Sequence, residues 1–151
     1  MENGQLTYRP IIEERQFLQE QLAARGMPTS QLDNLKYVSG LDKEAGFFTR
    51  LAFDEDDTEA VTQGTTVSVK PTEFVGFVGF DDPKAFEEAY HSSDFVAEGG
   101  AGFYPPYVVN ALGGWGITGD YYNGNPYEAF AKGAAREMYE TYRGQRRGNK
   151  R

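Results

Sequence analysis

Apolar and polar positions along the chain alternate in two ways, one helical and one extended. From residue 11 onward, Ile11, Leu18 and Leu22 recur at heptad spacing, with Ile12 and Phe17 flanking them; such a stripe lies on one face of a helix. Pro10 suits the first helical position. Glu13 and Glu14 suit the first turn, Arg25 the last, and Gly26 followed by Pro28 the stop. These signals predict a helix over 10–25. Its stripe is short, so residues 1–28 either pack on the body or dock as an arm on a neighbour.

A second helix is predicted over 83–91. Asp82 caps it, Pro83 opens it, Ala85, Phe86, Ala89 and Tyr90 form its inner face, and Lys84, Glu87 and Glu88 face water. A third is predicted over 126–143, capped by Asn125. Tyr127, Phe130 or Ala131, Ala134, Met138 and Tyr142 line its inner face, and Gly144 stops it.

Extended segments show the other period. Val67 and Val69 alternate within residues 65–70, and Tyr37-Val38 suits a short strand. Phe47, Leu51 and Phe53 share a side if 47–53 is a strand, with a helix from Lys43 to Phe53 as the competing reading. The run Glu73 to Phe80 is aromatic, β-branched and apolar on both faces, which predicts the central strand of a sheet. Together these elements predict one α+β domain over 1–142 with a small, mainly antiparallel sheet and N-terminal, middle and C-terminal helices.

Between the second and third helices, Gly99 to Tyr127 fits neither period. It is rich in glycine, which frees the backbone, and in rings, which supply contact area on few rotatable bonds. Tyr104, Tyr107, Trp115, Tyr121 and Tyr122 are expected there as partner contacts, because interface cores favour such residues.

Charge changes the picture at one end. The net charge of −8 includes +5 from Arg143, Arg146, Arg147, Lys150 and Arg151 within 143–151. Subtracting those five charges from −8 leaves −13 on residues 1–142. An acidic body does not suit broad nucleic-acid binding. The basic tail is expected to touch an acidic protein surface or phosphate, and nucleic acid is expected through the tail alone.

Candidate chemistry is sparse. The chain has no cysteine, which excludes disulfides and thiolate metal sites. No apolar run approaches a membrane span and the first ten residues lack a signal-peptide core. Gly114, Gly116 and Gly119 match the spacing of the dinucleotide fingerprint, yet no helix is predicted directly after them, where that fingerprint needs one. The lone histidine, His91, is expected on the surface at a helix C-terminus. The acidic run Asp54 to Asp57 with Glu59 lacks the glycine and closing glutamate of a calcium loop, and reads as a solvated loop. No catalytic residue, metal or cofactor is expected.

Lys36-Tyr37-Val38-Ser39-Gly40-Leu41, and Gly76 to Phe80 followed by Asp81 to Phe86, resemble the two short motifs of the RNA-recognition-motif family over residues 35–92. That resemblance implies a βαββα order with Tyr37 and Phe77 as base-stacking rings. The leading expectation is instead a non-enzymatic subunit of a larger homo- or hetero-oligomeric assembly, in concrete form a viral or phage connector or capsid accessory. The second is a small nucleic-acid- or host-factor-binding module.

Overall fold

A computed structural model describes residues 5–43, 45, 50, 53–54, 58–97 and 126–149, with side chains of the last segment described from 130 to 148. The fold is α+β, as the two hydrophobic periods predict. Strand β1 (Thr7–Tyr8) leads into helix α1 (Ile12–Ala24). The helix begins two residues later than Pro10. Ile11 holds the cap position in an extended conformation, and its N–H donates to the Glu14 carboxylate at 3.0 Å. The Tyr8 hydroxyl donates to the same carboxylate oxygen, so the buried Glu14 is satisfied by the residues around the helix start. Phe17, Leu18 and Leu22 are buried, which places α1 in the body.

Strand β2 (Lys36–Ser39) follows a 3₁₀ turn over Ser30–Asn34; β3 (Ala60–Gln63) and β4 (Thr66–Val69) follow it. The sheet order is β1-β2-β4-β3. Both outer pairings are antiparallel, and the central β2–β4 pairing is parallel, with Tyr37 opposite Val67 and Ser39 opposite Val69. The β3–β4 hairpin turns on two residues, with Gly64 first at φ +64°, the conformation such a turn requires of its first residue. Tyr37, Val67 and Val69 point to one buried face. Val38 and Ser68 point to the other, where the Ser68 hydroxyl accepts the Asp42 N–H at 2.9 Å.

The run Glu73 to Phe80 is not the central strand. It forms a helical turn, α2 (Phe74–Phe77), and then a 3₁₀ turn over Val78–Phe80. Its period is three: Phe74, Phe77 and Phe80 are buried while Val75 and Val78 are exposed. Gly79 and Phe80 have positive φ, +75° and +58°, which no strand accommodates. Most of 47–53 lies outside the described residues, but Arg50 and Phe53 are helical and the Asp54 N–H donates to the Arg50 carbonyl at 3.1 Å. At these two described positions the helical reading is the one that fits.

Helix α3 (Pro83–Ala97) runs six residues past its expected end at 91, and α4 (Pro126–Asn149) runs through Gly144. Gly144 is absent from the positive-φ glycines, so it sits in the helix rather than stopping it, a cost of about 1 kcal/mol relative to alanine. Residues 143–149 are therefore the last turns of α4. Phe130 is exposed and Ala131 buried, which resolves the alternative at that position. Ala131, Ala135, Met138 and Tyr142 form the buried stripe, with α4 packed along α3.

Phe86 on α3 is the hub of the core. Its ring meets Phe80 at 4.9 Å, Tyr142 at 5.8 Å, Phe17 at 5.9 Å and Tyr139 at 6.3 Å between centroids, all edge-on. Such contacts add ~0.5–1.5 kcal/mol each to the area they bury. The ring cluster joins α1, α3, α4 and the 3₁₀ turn, and Arg25 ties the end of α1 to Glu137 on α4 at 2.8 Å.

The middle of α3 departs from its expected polarity. Glu87 and Glu88 are 3% exposed and His91 is 6% exposed, so none of the three faces water. Ser92 and Ser93 are also buried. Ser92 donates to the Gly64 carbonyl at 2.8 Å and Ser93 to the Pro28 carbonyl at 2.9 Å. This stretch of the helix fastens loops through hydrogen bonds rather than through apolar packing.

Candidate interaction surface

Among the described residues, the large apolar side chains left exposed are Leu6, Ile11, Ile12, Val75, Val78 and Phe130. Single exposed apolar residues are ordinary; a group of them at one place is not. Ile11, Ile12 and Val78 border one junction along the chain, and Val75 lies one turn before Val78. Ile11 and Ile12 stand at the start of α1, where the Ile11 N–H and the Tyr8 hydroxyl share one Glu14 carboxylate oxygen. The Tyr8 hydroxyl also interacts with the backbone of Gly79, the residue after Val78. Val75 and Val78 share the outer side of their turn because the phenylalanines between and around them take the inner side. Val75 is 80% exposed and Ile12 is 64% exposed, the two most open aliphatic side chains of the group.

The basic end of α4 reaches the same corner. Arg146 lies 3.6 Å from Asp81, two residues beyond Gly79. Its guanidinium also sits 5.6 Å from the centre of the Tyr142 ring. Arg143 donates to the Tyr139 hydroxyl at 2.6 Å and lies over that ring. Stacking of this kind orients a guanidinium while leaving its outer edge to a partner. Arg143, Arg146 and Arg147 are all exposed. Arg146 and Arg147 occupy the last turn, where cations complement the helix dipole.

The hydroxyls under this corner are held protonated. Burial and then the Glu14 carboxylate push the Tyr8 hydroxyl far above its ordinary pKa. The Tyr142 hydroxyl is raised by burial first, then by Glu14. The floor of the corner is thus neutral phenol and buried carboxylate, and the exposed charge above it is arginine.

Of the residues the sequence predicts as partner contacts, Arg143, Arg146 and Arg147 stand here together. Tyr104, Tyr107, Trp115, Tyr121, Tyr122, Lys150 and Arg151 lie outside the described residues, as does the Asn125 cap. Tyr37 and Phe77 do not serve as stacking rings: both are fully buried, 5.8 Å apart, and Phe77 sits on α2 rather than on a strand. The Tyr37 hydroxyl donates to the Ala85 carbonyl at 2.6 Å, fixing the ring inside the core. The aliphatic corner was missed because the sequence reading gave contact roles to rings and tail charges. The signal that could have found it is the three-residue period of Phe74, Phe77 and Phe80, which leaves Val75 and Val78 outside.

Among the described residues, no helix is long and apolar enough to cross a membrane. No protein-family model matches the chain, and no curated protein or solved structure matches it.

Proposed function

We propose that this chain is a non-enzymatic subunit of a larger assembly, docking through the corner where Ile11, Ile12, Val75 and Val78 meet the arginine end of α4. The observation that supports this reading is the exposure of two aliphatic pairs and of three arginines, two of them oriented by ring contacts. Apolar area supplies the drive for association, and the arginines select a partner face carrying carboxylates. The partner is another protein subunit, a copy of this chain or a different one; residues 1–142 are themselves acidic and offer a face of the required sign. Phosphate alone would have no use for the aliphatic pairs. The concrete form carried forward from the sequence is a connector or capsid accessory, acting in the cytoplasm or within a virus particle.

The test is the native mass of the full chain, purified from its natural source and recombinantly, for the wild type and for Ile12→Asp, Val75→Asp and Arg147→Glu. The proposal expects an assembly that each substitution weakens while the melting temperature of the isolated chain holds. It also expects the arginine substitution to lessen the salt sensitivity of assembly. Assembly that survives all three substitutions, or a chain that is monomeric from both sources, overturns it.

A further inference from the structure

The buried polar stretch of α3, from Glu87 to Ser93, carries a second kind of chemistry. At about 100° per residue, His91 falls about 40° from Glu87 and about 60° from Glu88 around the helix axis, one turn further along. The imidazole therefore sits in the gap between the two carboxylates. One ligand atom from each of the three side chains lies within 4.8 Å of the other two, and all three residues are buried. His91 Nε2 stands 3.9 Å from Glu87 Oε1. Each carboxylate is also held from outside the trio. Lys84 Nζ lies 3.4 Å from Glu87 Oε2, and the Thr62 hydroxyl on β3 donates to Glu88 Oε2 at 2.5 Å.

From this juxtaposition we infer that Glu87, Glu88 and His91 form a structural site for one divalent transition-metal ion, of the class of zinc or manganese. Two donors bound to such an ion at ~2.1 Å stand about 3.0–3.4 Å apart, so shifts of an ångström or so close the trio around it. A carboxylate, carboxylate and imidazole set suits zinc, manganese or ferrous iron; magnesium and calcium prefer oxygen alone. Lys84 and Thr62 act as outer partners that orient the carboxylates, a role whose loss weakens metal sites. The ion would hold the middle of α3 in the orientation that Thr62, Ser92 and Ser93 already favour. The sequence reading places His91 and both glutamates in water, and their burial corrects that placement.

The test uses the full chain after chelator treatment, titrated with Zn²⁺, Mn²⁺ and Mg²⁺ in turn. Bound metal is read by equilibrium dialysis and stability by thermal melting. The inference expects a single equivalent of Zn²⁺ or Mn²⁺ per chain, a raised melting temperature, and no comparable response to Mg²⁺. Binding should weaken at least about tenfold in His91→Gln and in Glu87→Gln. It should be unchanged in Glu59→Gln, which alters the separate half-buried cluster of Glu59, Glu73 and Asp82. Absence of saturable binding, binding untouched by either substitution in the trio, or binding lost in Glu59→Gln overturns the site. If His91→Gln fails to fold, the isosteric Glu87→Gln decides, with circular dichroism as the check on its fold.

Discussion

The aromatic interior around Phe86 and the aliphatic corner at Ile11, Ile12, Val75 and Val78 reverse the usual division of labour. In the interior, Phe17, Tyr37, Phe77, Phe80, Phe86 and Tyr142 supply most of the large buried rings among the described residues. At the corner, isoleucine and valine stand in water. The two regions touch: Phe80 and Tyr142 belong to the core, while Gly79 and Arg146, one and four residues away, belong to the corner. The difference shows that ring content alone says little about where a chain meets its partners. Rings share the core with Leu18, Leu22, Leu35, Val67 and Val69, while Val75 and Val78, on the far side of the aromatic turn, stay outside.

The sharpest way to break the comparison is Phe86→Ala. Removing a hub that four other rings touch should cost ~3–5 kcal/mol of folding stability, measured by denaturant unfolding. A loss under about 1 kcal/mol would mean the rings are not the core's main support. Tyr37→Phe is milder. It keeps the ring and deletes one buried hydrogen bond to the Ala85 carbonyl, for an expected loss of ~1 kcal/mol in the same measurement.

Alkaline pH sharpens the boundary between the regions. Tyr8 is raised above its unfolded value, chiefly by burial and then by Glu14. A phenol raised in the folded state contributes stability that is present below its unfolded pKa of about 10 and is lost as pH rises above it. Melting temperature should therefore fall less steeply above that pH in Tyr8→Phe than in the wild type. Tyr37, Tyr90 and Tyr142 are also raised, so part of the slope should remain. The smallest effect on folding is expected at the corner, where Val75→Asp should move stability by no more than about 0.5 kcal/mol. A large loss there would show that Val75 supports the fold.

Much of the fold was legible in the sequence. The cap and stop residues around 10–28 place α1 to within two residues, and Pro83 and Pro126 mark the starts of α3 and α4. What failed were the features that composition disguises. The run at 74–80 has the aromatic and β-branched content of a strand, but its triplet repeat and the positive φ of Gly79 make it two tight turns. Gly144 looks like a helix stop and is not one, because Tyr142 is buried in the core and Arg146 is held at Asp81 on its far side. His91 and the two glutamates carry polarity that reads as solvent-facing until α3 is seen packed between β3 and α4. Of the proposed surface, the arginines were legible as charge. The aliphatic pairs were legible only once the period of three replaced the period of two.

The parallel pairing of β2 with β4 sets an order of events in folding. The β3–β4 hairpin closes across two residues and can form within microseconds of its own accord. Strand β2 must then find β4 across the intervening 26 residues, and β1 must find β2 from the other side of α1. Loop closure of that kind costs entropy before contacts repay it. The chain should therefore show a fast local phase followed by a slower one in which the sheet is completed, and the two-residue strand β1 should be the last to join and the first to leave.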